Sequence, residues 1–117
     1  MNIENLIYQE LLEIANQRGI FLDFVDLPNK IDGFWFYIKN KTDAIAINRV
    51  LAGNKRNFTL AHELGHSALH KNSNYNVLTN GGKLDEKMEA EADEYARILI
   101  TKIKKNLRKE VTLNIQK

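Results

Sequence analysis

The segment from Phe58 to His70 constrains this chain of 117 residues more than any other, because it holds all three of its histidines. Apolar residues recur through the segment at helical spacing, and they are Leu60, Ala61, Leu64, Ala68 and Leu69. His62 and His66 are four residues apart, so on a helix they lie on one face, one turn from each other. Both imidazoles can therefore bind the same metal ion.

Glu63 completes the pattern His-Glu-x-x-His, in which two histidine ligands of zinc accompany a glutamate that acts as general base. It lies about 100° further round the helix than His62, beside the metal position, where a carboxylate can take a proton from a water molecule. Two histidines at this spacing can also be ordinary surface or core residues. Gly65 argues against that interpretation, because glycine inside a helix costs about 1 kcal/mol relative to alanine. Close approach of another backbone is the usual compensation.

A second predicted helix, from Leu84 to Ile100, offers a third ligand. Glu89 and Asp93 are four residues apart and share one face of this helix. We expect Glu89 to bind the metal and Asp93 to hydrogen-bond a histidine ligand, since zinc sites commonly use two histidines, one glutamate and a water. Glu91 stays open as the alternative ligand, although the spacing to Asp93 favours Glu89.

The remaining segments predict a small α+β domain that spans residues 1–117. Residues 2–18 carry apolar residues at helical spacing and predict an N-terminal helix that ends at Gly19. Three short runs rich in β-branched and aromatic residues predict strands, at Ile20–Val25, Gly33–Ile38 and Ala44–Asn48. We expect these strands to form a three-stranded, mainly antiparallel sheet.

The central helix is expected to run from Lys55 to His70, with Asn54 as its N-cap. A polar loop that reaches Gly82 follows it. Residues 102–117 form a basic tail, which we expect to be solvated, and the sequence does not assign it a role. Within the tail, Val111–Ile115 alternates like a final strand or an extended arm.

Composition excludes several classes of protein. The chain has no cysteine, so disulfides and thiolate ligands are excluded and a metal must be bound by His, Asp or Glu. This usage fits a cytoplasmic protein. The net charge of +2 is too small to indicate direct binding to nucleic acid. No apolar run approaches about 18 residues and no signal-peptide pattern begins the chain, so we expect no membrane partner.

The order of these segments resembles the ImmA/IrrE family of small metallopeptidases from phages and mobile elements, which are related to the gluzincins. The resemblance covers about residues 5–100. It rests on five stretches, which are Arg18–Ile20, Asp26–Pro28, Ile31–Phe36, Ala44–Asn48 and, most strongly, Phe58–His70, together with the pattern Glu-x-x-Ala-Asp at Glu89–Asp93.

The resemblance implies a zincin-like fold and one zinc ion per chain. It implies that His62, His66 and Glu89 bind the zinc and that Glu63 is the general base. It further implies a protein substrate, a helix-turn-helix transcriptional repressor encoded nearby, whose cleavage would switch on the genes of the element.

The sequence offers further candidate residues around the expected site. His70 follows His66 by four residues and not by the six of the metzincin pattern, so we interpret it as structural or as a hydrogen-bond partner of a ligand. Tyr75, Tyr95 and Arg97 are candidates for stabilising an oxyanion. The strand Ala44–Asn48 is a candidate for holding an extended substrate by strand addition.

Two alternatives to a zinc-dependent endopeptidase stay open in the sequence. One is a regulatory module of the same fold that contacts a repressor or another regulator without hydrolysing it. The other is a closed structural zinc site, which needs four protein ligands and would have to recruit His70 or Glu91.

Overall fold

The structure of the protein, a computed structural model, describes residues 2–71 and 86–116. Six elements follow one another along the chain: α1 (Ile3–Gln17), β1 (Phe21–Val25), β2 (Gly33–Ile38), β3 (Thr42–Asn48), α2 (Gly53–Leu69) and α3 (Glu86–Gln116). The α+β class, the N-terminal helix, the three strands and the two later helices are therefore confirmed. The predicted loop to Gly82 and the candidate Tyr75 lie outside the described residues. Within the described ranges, no helix has both the length and the apolar character that crossing a membrane requires.

The sheet is mixed, where we expected a mainly antiparallel one. Its strand order is β1-β3-β2, with β3 antiparallel to β2 and parallel to β1. A tight turn at Asn40, with φ of 63°, joins β2 to β3 as a hairpin. Residues 26–32 carry the chain from β1 past the centre of the sheet, so β3 enters between the two earlier strands.

The central position of β3 corrects the prediction that Ala44–Asn48 holds a substrate by strand addition. Both edges of this strand are already paired. Ala44 pairs with Phe21 of β1 on one edge, and Ile47 pairs with Gly33 of β2 on the other. A third strand cannot pair with it. Among the described residues, the unpaired edges of the sheet belong to β1 and β2.

Helix α2 is buried on most of its circumference, because the sheet, α1 and α3 all pack on it. Its Leu60 and Leu64 are fully buried at the centre of the apolar core. The core also contains the inward side chains of the sheet and of α1, which are Trp35, Ile45, Ile47, Ile7 and Leu11. A helix in this position holds its polar side chains in fixed surroundings, and His66 is only 1% exposed.

The carboxylate of Asp43 fastens the hairpin to the end of α2. It accepts hydrogen bonds from Trp35 Nε1 at 2.7 Å and from Ser67 Oγ at 2.7 Å. Lys71 Nζ forms an ion pair with it at 2.8 Å. A carboxylate that is only 10% exposed is tolerated here because three donors surround it. The interaction fixes the sheet relative to the helix that carries the histidines.

Two predicted details of the helices are wrong. Asn54 is not the N-cap of α2, because Ala52 occupies that position and its carbonyl accepts the first helical bond, from Arg56 N at 3.3 Å. The predicted strand Val111–Ile115 belongs to α3, which runs on to Gln116. Residues 86–116 contain no glycine or proline that could end the helix.

The predicted close approach at Gly65 is confirmed. A Cβ atom at this position would lie 3.1 Å from Cβ of Tyr95 and 3.2 Å from Cα of Ala92. The absence of a side chain at Gly65 therefore lets α3 pack directly on the backbone of α2, and Ala92 and Ala96 of α3 are fully buried.

We expect Gly65→Ala to lower the stability of the protein, even though alanine is the better helix former by about 1 kcal/mol. The added methyl group meets backbone-proximal atoms that cannot move alone, and such overpacking costs about 1–3 kcal/mol. Urea unfolding measures the change. Ala68→Gly on the exposed face of α2 is the control, because it reports helix propensity alone. If Gly65→Ala raised the free energy of unfolding by as much as Ala68→Gly lowers it, the close packing would be contradicted.

Candidate metal centre

Three potential metal ligands from two helices meet at one point. Nε2 of His62 and Nε2 of His66 are 3.2 Å apart. The carboxylate of Glu89 lies against both, with one oxygen 2.8 Å from His62 Nε2 and the other 2.9 Å from His66 Nε2. Zinc with bonds of about 2.0–2.1 Å in tetrahedral geometry separates its ligand atoms by about 3.3 Å. The two imidazoles and the carboxylate therefore fit a zinc ion in chemistry and in spacing.

The structure brings Glu89 to the two histidines and leaves Glu91 outside the group of potential ligands. Glu91 Oε1 instead lies 3.2 Å from Nε2 of His70. Glu91 was the alternative that the sequence left open. Its position two residues after Glu89 turns its side chain away from the pair of ligands on α2.

The second nitrogen of each histidine also has a partner. Nδ1 of His62 lies 2.7 Å from Oδ1 of Asp93, which is the contact that the sequence predicts. Nδ1 of His66 lies 2.9 Å from Nδ1 of His70, one turn further along α2. The ring of Trp35 stacks on His66, with centroids 6.1 Å apart and planes 12° apart. Both rings are thus held with Nε2 directed at Glu89.

Glu63 lies beside the three ligands and is 5% exposed. Its Oε1 is buried and has no hydrogen-bond partner among the described residues. Burial raises the pKa of Glu63 to about 7, although the nearby His62 and His66 act in the opposite direction. A buried carboxylate oxygen without a donor, next to three metal ligands, suits a residue that accepts a proton from a bound water.

The ligands are strongly coupled by charge. Burial lowers the pKa of His62, but the hydrogen bond to Glu89 and the charges of Glu63 and Glu89 outweigh it and raise the value to about 9. Hydrogen bonds from His62 and then His66 hold the pKa of Glu89 well below its usual range. Both shifts favour an ion pair between a protonated His62 and an ionised Glu89.

His62 and Glu89, together with Glu63 and Asp93, line an open cavity of about 400 Å³. Its opposite wall is the segment 30–33, with Phe58 and Thr59 of α2 beside it. Asn48 holds this wall in place, because its amide donates to Leu27 O at 3.2 Å and to Ile31 O at 3.0 Å. Gly33 is needed at the junction, since a Cβ atom there would lie 2.8 Å from Ala46 O.

Spacing arguments missed this wall and its anchor. Lys30 and Asp32 reach the cavity through a loop, and loops carry no periodicity from which a position could be deduced. Two signals were available in the sequence. One is the polar residue Asn48 at the end of an apolar strand, and the other is the glycine at the start of β2.

The two candidates for stabilising an oxyanion that lie within the described residues, Tyr95 and Arg97, do not line the cavity. The hydroxyl of Tyr95 accepts a hydrogen bond from Arg18 Nη2 at 2.6 Å. Arg97 forms an ion pair with Glu94 on the exposed face of α3. Neither residue is part of the cavity lining. Tyr75 lies outside the described residues, and the role stays a prediction.

A histidine pair from one helix, a glutamate from the next and a buried glutamate beside them form a group that could hold a metal ion, in the pattern of zinc peptidases. The family model described as the IrrE N-terminal-like domain, of a peptidase family, matches residues 11–105. The chain belongs to this family of zinc metallopeptidases, which confirms the resemblance seen in the sequence. The match contains all of the site, from the segment 30–33 to Asp93. No curated protein and no solved structure matches the chain.

We expect zinc binding to release protons and to strengthen as the pH rises towards 9. A protonated imidazole cannot bind a metal, and the raised pKa of His62, about 9, keeps it protonated at neutral pH in the metal-free protein. Calorimetric titration with zinc at pH 7.5, in buffers of different ionisation enthalpy, counts the protons released. A binding heat that is independent of the buffer, with an affinity that is constant between pH 6.5 and 8.5, would contradict the arrangement.

Proposed function

We propose that this protein is a zinc-dependent endopeptidase that hydrolyses a peptide bond in a helix-turn-helix transcriptional repressor of a phage or mobile element. The observation that carries the proposal is the convergence of His62, His66 and Glu89 beside the buried Glu63 in an open cavity. Membership of a metallopeptidase family supports a protein substrate. The repressor follows from the resemblance of the sequence, and the reaction would take place in the cytoplasm, where such a repressor acts.

The residues of the site have separate roles in metal binding and in proton transfer. His62, His66 and Glu89 hold the zinc ion, and Asp93 orients the ring of His62. Three protein ligands leave a fourth position open, as in catalytic zinc sites and unlike closed structural ones. Zinc, when bound, lowers the pKa of a water molecule and polarises the carbonyl of the substrate.

Glu63 moves the proton. Its unpaired Oε1 accepts a proton as the water attacks the peptide carbonyl, and the protonated side chain then donates it to the leaving amine. A pKa near the working pH suits both steps, and burial raises that of Glu63 to about 7. The low exposure of this side chain keeps bulk water from exchanging the proton between the two steps.

The open edge of β2 is the surface that supports binding of an extended substrate. This strand begins at Gly33, which lines the cavity, and its outer edge is unpaired among the described residues. A peptide added along that edge would use backbone hydrogen bonds, so its binding would depend little on sequence. The segment 30–32 would then lie beside the residues next to the scissile bond.

Glu63→Gln tests the proposal and separates it from a non-proteolytic binding module. The amide keeps the shape of the side chain but cannot accept the proton, so we expect cleavage of the repressor encoded beside this protein to fall by at least about 100-fold. Zinc content and thermal stability should stay close to those of wild type. Mass spectrometry of the repressor after incubation measures cleavage.

Glu86→Gln, on the exposed start of α3, is the matched control and should cleave like wild type. If Glu63→Gln relieves repression in cells as fully as wild type does, hydrolysis is not the function and the binding module is correct.

A further inference from the structure

We propose that His70 and Glu91 form a relay of two hydrogen bonds that holds His66 in the tautomer able to bind a metal through Nε2. The inference rests on the proposed function, because it concerns the same metal centre. It gives a positioning role to Glu91, which the sequence offered only as an alternative ligand.

The relay runs from the buried ligand to the protein surface. Nδ1 of His66 lies 2.9 Å from Nδ1 of His70, and Nε2 of His70 lies 3.2 Å from Oε1 of Glu91. His66 and His70 are 1% and 6% exposed, whereas the side chain of Glu91 is 47% exposed. The two rings thus connect a buried nitrogen to a carboxylate at the surface.

A metal bound at Nε2 of His66 allows one arrangement of protons, because that nitrogen then carries no proton. A neutral imidazole has one N–H donor and one acceptor nitrogen, so a bond between the two Nδ1 atoms needs a donor on one side only. If His66 donates, His70 accepts at Nδ1 and carries its own proton on Nε2, where Glu91 accepts it. His66 then presents a bare lone pair at Nε2.

In the reverse arrangement His70 donates from Nδ1, and His66 carries its proton on Nε2, where it hydrogen-bonds Glu89 and blocks the metal. A neutral His70 in this arrangement would direct a lone pair at the carboxylate of Glu91, so that two acceptors face each other, and His70 would need a second proton to avoid this. By accepting from Nε2 of His70, Glu91 leaves Nδ1 of His70 as an acceptor and so favours the metal-binding tautomer of a residue that it does not touch.

A carboxylate contacts His62 whereas an imidazole contacts His66, and the difference in burial explains this choice. Asp93 contacts His62 directly, and its side chain is 49% exposed, so its charge keeps much of its hydration. Nδ1 of His66 lies in the interior, beneath Trp35, where a carboxylate would lose its hydration at a high cost. A ring nitrogen of His70 accepts the bond there, and the carboxylate stays at the surface on Glu91.

A matched pair of variants at position 70 tests the relay. In His70→Asn the amide oxygen replaces Nδ1 as acceptor. In His70→Leu the new side chain is close to histidine in volume but has no acceptor. We expect His70→Leu to weaken zinc binding by about 10–100-fold, because partners of metal ligands have effects of this size. We expect His70→Asn to stay within a few-fold of wild type. Competition with a chelator measures both affinities.

The hydrogen bond itself is visible by NMR of zinc-loaded protein with ¹⁵N-labelled histidine. We expect a proton on Nδ1 of His66 and a scalar coupling across the bond between the two Nδ1 nitrogens. Glu91→Ala should weaken zinc binding by about tenfold and broaden or remove that proton signal, while Glu86→Ala on the same helix should change neither. Glu91 is half-exposed, so this variant keeps the test decisive if His70→Leu fails to fold.

The outcomes separate the relay from the proposed function. Equal zinc affinity in wild type and His70→Leu, an equal loss in His70→Asn and His70→Leu, or no coupling between the two Nδ1 nitrogens would overturn the relay while the metal centre stands. A wild-type protein that binds no zinc would overturn the metal centre, and the relay with it.

Discussion

The site depends on the direct packing of α3 against α2 at Gly65. Two of the potential ligands belong to α2 and the third to α3, so the distance between the helices sets the distance between these residues. A side chain at Gly65 would meet Cα of Ala92, one turn from Glu89. Because each helix presents its ligand once per turn, contact at this point places Glu89 against both imidazoles and Asp93 against His62.

Charged side chains of low exposure in this structure are paired. Glu89 and His62 form an ion pair across the two helices, which shifts their pKa values in opposite directions. At the end of α2, the carboxylate of Asp43 has three donors and joins the sheet to the helix. Glu63 is the exception, since its Oε1 has no donor within the described part of the chain. A polar atom left unsatisfied in surroundings where the others are paired is typical of a group that acts in a reaction.

Much of this arrangement follows from the sequence because it is local. The four-residue spacing of His62 and His66 fixes them on one face whatever the tertiary structure. Gly65 in an otherwise helical segment predicts a close approach because glycine is unfavourable there without one. The same reasoning cannot give the order of strands: the patterns of β1 and β3 predict two strands but not their parallel pairing, which depends on how residues 26–32 cross the sheet. Periodicity alone also could not separate a strand from a helix at Val111–Ile115.

Some features of the site are tertiary and could not be deduced. The bond between His70 and Glu91 joins the C-terminal end of α2 to α3. The four-residue spacing relates His70 to His66, but no spacing pairs His70 with Glu91. The anchoring of the cavity wall by Asn48 links a strand end to carbonyls of a loop. The family match extends the prediction, since it covers all of these residues, but it does not assign their individual contacts.

The most direct test of the account is the zinc content of the purified protein after loading with zinc and desalting. We expect one zinc ion per chain in wild type and none retained in Glu89→Ala. Glu94→Ala is the control and should keep the full zinc content. Wild-type protein without zinc, or Glu89→Ala with undiminished zinc, would show that the two helices do not form this metal centre.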